Sequence, residues 1–194
     1  MDQRPVRPAR RRLSPEARRQ EIVEAAERLL QAHGARVRVE DVVREAGVAK
    51  GTFFLYFPTW DDLLETVRAR LVTAFDAAYP LPAEGEGPVD WPALVDQQAA
   101  AFIDFTLSRR GVGEAVFHSD FAERRPLAGN AVVRLSGVIR AGQAAGAFGP
   151  VDPELTARLL YAAIHEAADA VAAGAARDAM VASLQTLLRR TLAP

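Results

Sequence analysis

Cysteine is absent from the 194 residues. That excludes a disulfide framework, a thiol nucleophile and a Cys-based zinc site, and it fits a reducing cytoplasm. Histidine occurs three times, at 33, 118 and 165. His165 and Asp169 are four apart, but the second histidine of a zinc-peptidase helix is missing, so no metal or other cofactor is expected. No apolar run approaches the roughly 20 residues that span a bilayer. There is no Gly-rich phosphate loop and no Gly-x-Ser-x-Gly elbow, so no enzyme is expected. β-branched runs alternating with period two are missing too, apart from Val37-Arg38-Val39. A sheet is therefore not expected.

What remains is rich in alanine, leucine and arginine, and reads as all-α. Charge is divided unevenly. Residues 1–60 hold 12 basic and 8 acidic side chains, whereas 61–194 hold 12 basic and 17 acidic. A positive head on a negative body suits a protein that presents one end to a polyanion. The start, MDQRPVRPARRRL, has no apolar stretch behind it and reads as a basic arm over 1–13, not a secretory signal.

About nine helices are predicted. The first runs from about Ser14 to His33, with Ser14 as cap, Pro15 at the first position and Gly34 as stop. Short helices follow at about Val39–Ala46 and Ala49–Tyr56, then a long one at about Trp60–Ala78. Residues 80–92, PLPAEGEGPVDWP, read as a surface connection. Further helices are expected at about Ala93–Arg109, Gly113–Glu123, Leu127–Ala145, Pro153–Ala173 and Ala175–Leu192.

The most informative stretch is VEDVVREAGVAKGTFFLYFPTWDDLL, residues 39–64. Val39, Val42, Val43 and Ala46 form one apolar face. Gly47 suits a tight left-handed turn, and Val48 plugs it. Phe53 and Phe57, four apart, share a face that can pack on the first helix. The other face of that helix is expected to carry Lys50, Thr52 and Tyr56, with Phe54 and Leu55 beside them. Two short helices joined by a glycine turn describe a helix-turn-helix.

These residues resemble the TetR family of transcriptional regulators. The likeness lies in Gly34, Val39, Asp41-Val42, Ala46-Gly47-Val48, Lys50-Gly51-Thr52-Phe53, Tyr56-Phe57-Pro58 and Asp62-Leu63-Leu64. It implies a DNA-binding head over 14–58 and a ligand-binding, dimer-forming helical body over 59–194. It implies DNA contacts from Arg38, Val39, Ala49, Lys50, Gly51, Thr52, Phe54, Leu55, Tyr56 and Trp60. Lys50 is the candidate guanine reader and Tyr56 a phosphate donor. Four positions depart from the pattern. Phe54 replaces a phosphate-binding tyrosine, Trp60 a lysine, Arg38 a Ser or Thr cap, and Val43 a small alanine. Arg4, Arg7, Arg10, Arg11 and Arg12 of the arm, with Arg18 and Arg19, are expected to compensate.

For the body, Phe102, Phe105, Phe117, Phe121 and Tyr161 are candidate lining residues of a ligand cavity. His118 and His165 are the polar candidates, with Gln98 and Asp104 behind them. The last two helices carry small residues that favour close packing in a four-helix bundle built from two chains. The expected function is a ligand-released repressor, acting as a homodimer on a palindromic operator. A relative that kept the fold and the small-molecule site but lost operator binding is the alternative.

Overall fold

The computed structural model describes residues 14–82, 87–121 and 130–194. Among these there are nine α-helices and no strand. They are α1 Pro15–His33, α2 Val39–Ala46, α3 Lys50–Tyr56, α4 Trp60–Ala78, α5 Trp91–Ser108, α6 Arg110–Phe117, α7 Asn130–Ala144, α8 Pro153–Ala172 and α9 Arg177–Leu192. A short 3-10 turn, Gly34–Arg36, follows α1. The basic arm over 1–13 lies outside the described residues.

The ends of the helices follow local chemistry. At α1 the Ser14 hydroxyl accepts from Ala17 N–H, and Pro15 occupies the first turn, where no intrahelical donor is needed. At α4, Thr59 and Asp62 cap each other: Asp62 N–H donates to Thr59 Oγ1 at 3.1 Å, and Thr59 N–H donates to Asp62 Oδ2 at 3.0 Å. At α8, Asp152 Oδ1 accepts from the N–H groups of Glu154 and Leu155.

Three helices differ from the sequence expectation by more than one residue at a described end. α5 begins at Trp91, not Ala93, because Asp90 caps it through Ala93 N–H and Pro92 falls in its first turn. The prolines of the connecting segment mark a helix start as well as a loop. α6 starts earlier, one residue after α5, and ends at Phe117 instead of Glu123. The Ser119 hydroxyl donates to Ala115 O and accepts from Phe121 N–H, which supports the bend there. Residues 122 and 123 lie outside the described residues. α9 begins at Arg177, after Gly174, not at Ala175.

Two apolar clusters hold the chain together. The first joins α1, α2 and α3 through Ile22, Leu30, Val42, Phe53 and Phe57, and is completed by Leu63, Leu64 and Val67 of α4 and Val112 and Val116 of α6. The second joins α5, α7, α8 and α9 through Ile103, Ile139, Leu160, Ile164, Leu184 and Leu188. A buried carboxylate, Asp96 of α5, is bonded by Arg189 of α9. Farther along, Arg177 grips Asp104 with two bonds of 2.6 Å. No helix among the described residues is long and apolar enough to cross a membrane.

Candidate nucleic-acid interface and effector cavity

The turn between α2 and α3 is built on Gly47, whose φ of 62° and ψ of 38° lie in the left-handed region. The Val48 N–H donates to Val43 O at 3.0 Å, and the Val48 side chain packs on the first cluster. α3 is pinned from inside by Phe53 and Phe57, both buried, with ring centroids 5.8 Å apart. Everything else on α3 lies at or near the surface. Lys50, Gly51, Phe54 and Leu55 are exposed, while Thr52 and Tyr56 are half-buried.

Lys50 is not free in this state: its ammonium meets Glu40 Oε1 at 2.6 Å. The hydrogen bond from Lys50 holds the Glu40 carboxyl below the usual carboxylate range. Arg38 is exposed at the start of α2 and Ala49 at the start of α3; Val39 packs half-buried on the head's core. Arg38 lacks a side-chain acceptor, so one half of the usual cap is lost. The other half survives, because Arg38 N–H donates to Asp41 Oδ2 at 3.1 Å. Trp60 is half-buried against the core, beside Leu30, Leu64 and Phe121. Arg19 is engaged internally: it donates to Thr66 Oγ1 at 2.9 Å and lies over the Phe57 ring. Arg18 pairs with Glu21.

The body encloses a cavity of about 130 Å³ between α4, α5, α6, α7 and α8. Five of the seven sequence candidates line it: Phe102, Phe105, Phe117, Tyr161 and His165. Two do not. His118 is exposed with its Nε2 3.3 Å from Asp169 Oδ1, and Phe121 is buried in the head-side cluster under the Arg68 guanidinium. Of the two supporting residues, Gln98 lines the cavity, and Asp104 is spent on Arg177. Asp169 therefore serves His118 and forms no set with His165.

Phe75, Asp76 and Arg134 also line the cavity and were missed. Phase alone hid Phe75 on a long helix whose first half serves the head. Arg134 comes from α7 and reaches Asp76, Tyr79 O and Gln98 Oε1, tying three helices at one end of the cavity. At the other end His165 sits in a box of rings, with centroids 4.4 Å from Tyr161, 4.7 Å from Phe102 and 5.8 Å from Phe117. Burial, reinforced by His118, lowers its pKa to about 4, so the imidazole is neutral at pH 7. Its Nε2 is buried with no hydrogen-bond partner. Burial also pushes the Tyr161 hydroxyl up to about 12.

α6 connects the cavity to the head. Phe117 and Gly113 face the cavity, while Val112, Ala115 and Val116 pack into the head's cluster. The approach to α1 is close at Gly111, where a Cβ would stand 2.5 Å or less from Leu30 O and Gln31 O. Gln31 Nε2 donates to Ser108 O across the same joint. Arg70 of α4 meets Glu27 of α1 at 3.0 Å. Away from these contacts, α8 and α9 expose Leu155, Leu159 and Leu187, which are 62%, 73% and 46% accessible.

Fold and head together define an all-helical protein with a helix-turn-helix head seated on a helical body. The family model described as "Bacterial regulatory proteins, tetR family" matches residues 22–67, which run from α1 to the middle of α4. Solved structures match over nearly the whole chain. GusR of Salmonella enterica has 19% identity and a TM-score of 0.73, covering 94% of this chain and 99% of its own. A TetR-family regulator from Pectobacterium atrosepticum has 20% identity and a TM-score of 0.70, covering 92% and 96%. RolR in complex with resorcinol has 17% identity and a TM-score of 0.68, covering 92% and 89%. No curated protein sequence matches significantly. The head of the chain, residues 22–67, thus matches the tetR family of bacterial regulatory proteins, and the chain as a whole shares the fold of these structures.

Proposed function

We propose that the chain is a ligand-released repressor that binds a palindromic operator as a homodimer in the cytoplasm. The observation that carries this reading is α3 itself. Buried Phe53 and Phe57 fix its orientation, and that orientation leaves Lys50, Gly51 and Leu55 exposed among the described residues, with Lys50 paired to Glu40. The head over 14–58 supplies the DNA surface: Arg38 and Val39 at the start of α2, Ala49 to Thr52 and Phe54 to Tyr56 on α3, and Trp60 at the joint. The arm over 1–13 adds phosphate contacts. Removing residues 1–12 should flatten the slope of log affinity against log salt by about 2–4 units.

The body over 59–194 is the sensor and the dimer surface. Phe102, Phe105, Phe117, Tyr161 and His165 bind the effector, and the preponderance of rings favours a flat, mostly apolar compound. The exposed leucines of α8 and α9 are the natural centre of an isologous four-helix interface. Effector binding shifts α4 and α6 against the head. A few kcal/mol of preference for the non-binding state is enough to empty the operator.

Selection of duplexes from a random pool by the purified full chain tests the reading. The expected product is an inverted repeat. Enrichment of no sequence at low salt would contradict it and favour a relative that retained only the small-molecule site.

A further inference from the structure

α3 consists of Lys50, Gly51, Thr52, Phe53, Phe54, Leu55 and Tyr56. It has no Arg, Asn, Gln, Asp or Glu. Lysine aside, those are the side chains that make two-point hydrogen bonds to guanine or adenine, or accept from cytosine, in the major groove. Its one cation, Lys50, is engaged by Glu40. At 100° per residue, Phe53 points to the core and Leu55 lies on the opposite side, in one stripe with Gly51 and Thr52. Leu55 is 82% accessible, and the Phe54 ring, held edge-on to Phe53 at 5.2 Å, is 41% accessible. A Cβ at Gly51 would meet nothing within 4 Å. The outward face is therefore methyl-rich, free of formal charge at its centre and open to close approach.

We infer that α3 reads its operator mainly through the 5-methyl groups of thymine, with Leu55 and Phe54 as the contacting side chains and the Thr52 methyl beside them. The inference rests on the reading of α3 as the DNA-facing helix. The duplex is favoured as occupant because residues 22–67 match a family model of bacterial regulatory proteins, and because the arginines of residues 1–13 supply positive charge next in sequence to a head that is itself balanced in charge. In the major groove thymine is the natural base that presents a methyl group, and an apolar side chain is its natural complement. Each half-site should thus hold thymine beneath Leu55. Lys50, exchanging Glu40 for a phosphate or a guanine, adds affinity and a lesser share of the discrimination.

Deoxyuridine removes the methyl and leaves base pairing and phosphates unchanged. In a duplex selected by the full chain, each thymine is replaced in turn and the affinity measured. Burial of one methyl is worth about fourfold, so the sensitive position should cost about fourfold in one half-site and about fifteenfold in both. Leu55→Ala, at an exposed position that leaves the core intact, should bind thymine and uracil duplexes alike. Equal affinity of the unaltered chain for both duplexes would overturn the inference while leaving DNA binding standing. So would selected half-sites without thymine, or an L55A chain that kept the full discrimination. If no duplex is selected at all, the DNA reading fails, and the inference with it. A Leu55→Ala chain whose oligomeric state changes without DNA would assign this face to protein contact instead.

Discussion

In the proposed complex Glu40 would compete with DNA for Lys50. The pair is exposed on both sides, so its worth to folding is small. Its worth to binding is larger, because a lysine neutralised by a carboxylate releases no counterion until that carboxylate is displaced. Glu40→Gln should therefore tighten DNA binding at low salt and steepen the salt slope by up to about 0.9. Filter binding between about 50 and about 200 mM salt, a range of about fourfold in ionic strength, resolves that change. An unaltered slope would show that Lys50 makes no phosphate contact. His165 gives a second test at the same scale. Its folded pKa of about 4 lies below the ordinary 6.5, so the unfolded chain takes up the proton first. Stability is full above about pH 6.5 and falls as the pH drops toward 4. The contribution between pH 7 and pH 5 is about 2 kcal/mol. Thermal melts of His165→Gln should lose that part of the pH dependence, whereas an identical dependence would mean that the imidazole protonates in place.

At the scale of the helix, the proposed signal transfer rests on α6. Gly111 permits its contact with the last carbonyls of α1, and no backbone carbonyl can yield as a flexible side chain would. Gly111→Ala should destabilise the chain by about 1–3 kcal/mol, or push α6 off α1 and weaken the coupling between cavity and head. Calorimetry reads the first effect, and the effector's influence on operator affinity reads the second. A variant normal in both would remove α6 from the account. The head was legible in sequence because its signals are local: a glycine where the chain turns left-handed and two phenylalanines four apart. The cavity was only half legible. Phe102, Phe105, Phe117, Tyr161 and His165 were identifiable as aromatics in a helical body, but which of them converge depends on how five helices cross. Helix phase cannot tell Phe121, which turns to the head, from Phe117, which turns to the cavity. Arg134 was invisible for the same reason, since its partners Asp76 and Gln98 are 58 and 36 residues distant.

For the whole molecule, two clusters give two jobs. The head's core runs into α4 and α6, so the proposed shift of either helix would disturb the packing beneath α3. The second cluster leaves leucines of α8 and α9 in water, which a monomer gains nothing by doing. Leu159→Asp should leave the fold intact, because the side chain is already 73% accessible, and should yield monomers in light scattering. A variant that stayed dimeric would move the interface elsewhere. The central claim is that two α3 helices enter successive major grooves of one duplex, about 34–36 Å apart. It is tested most directly by inserting five base pairs, about half a turn, between the half-sites of the selected operator and measuring affinity. The account predicts a loss of at least about tenfold, with recovery of binding when ten pairs are inserted only if the dimer can stretch. Affinity indifferent to the five-pair insertion would contradict it.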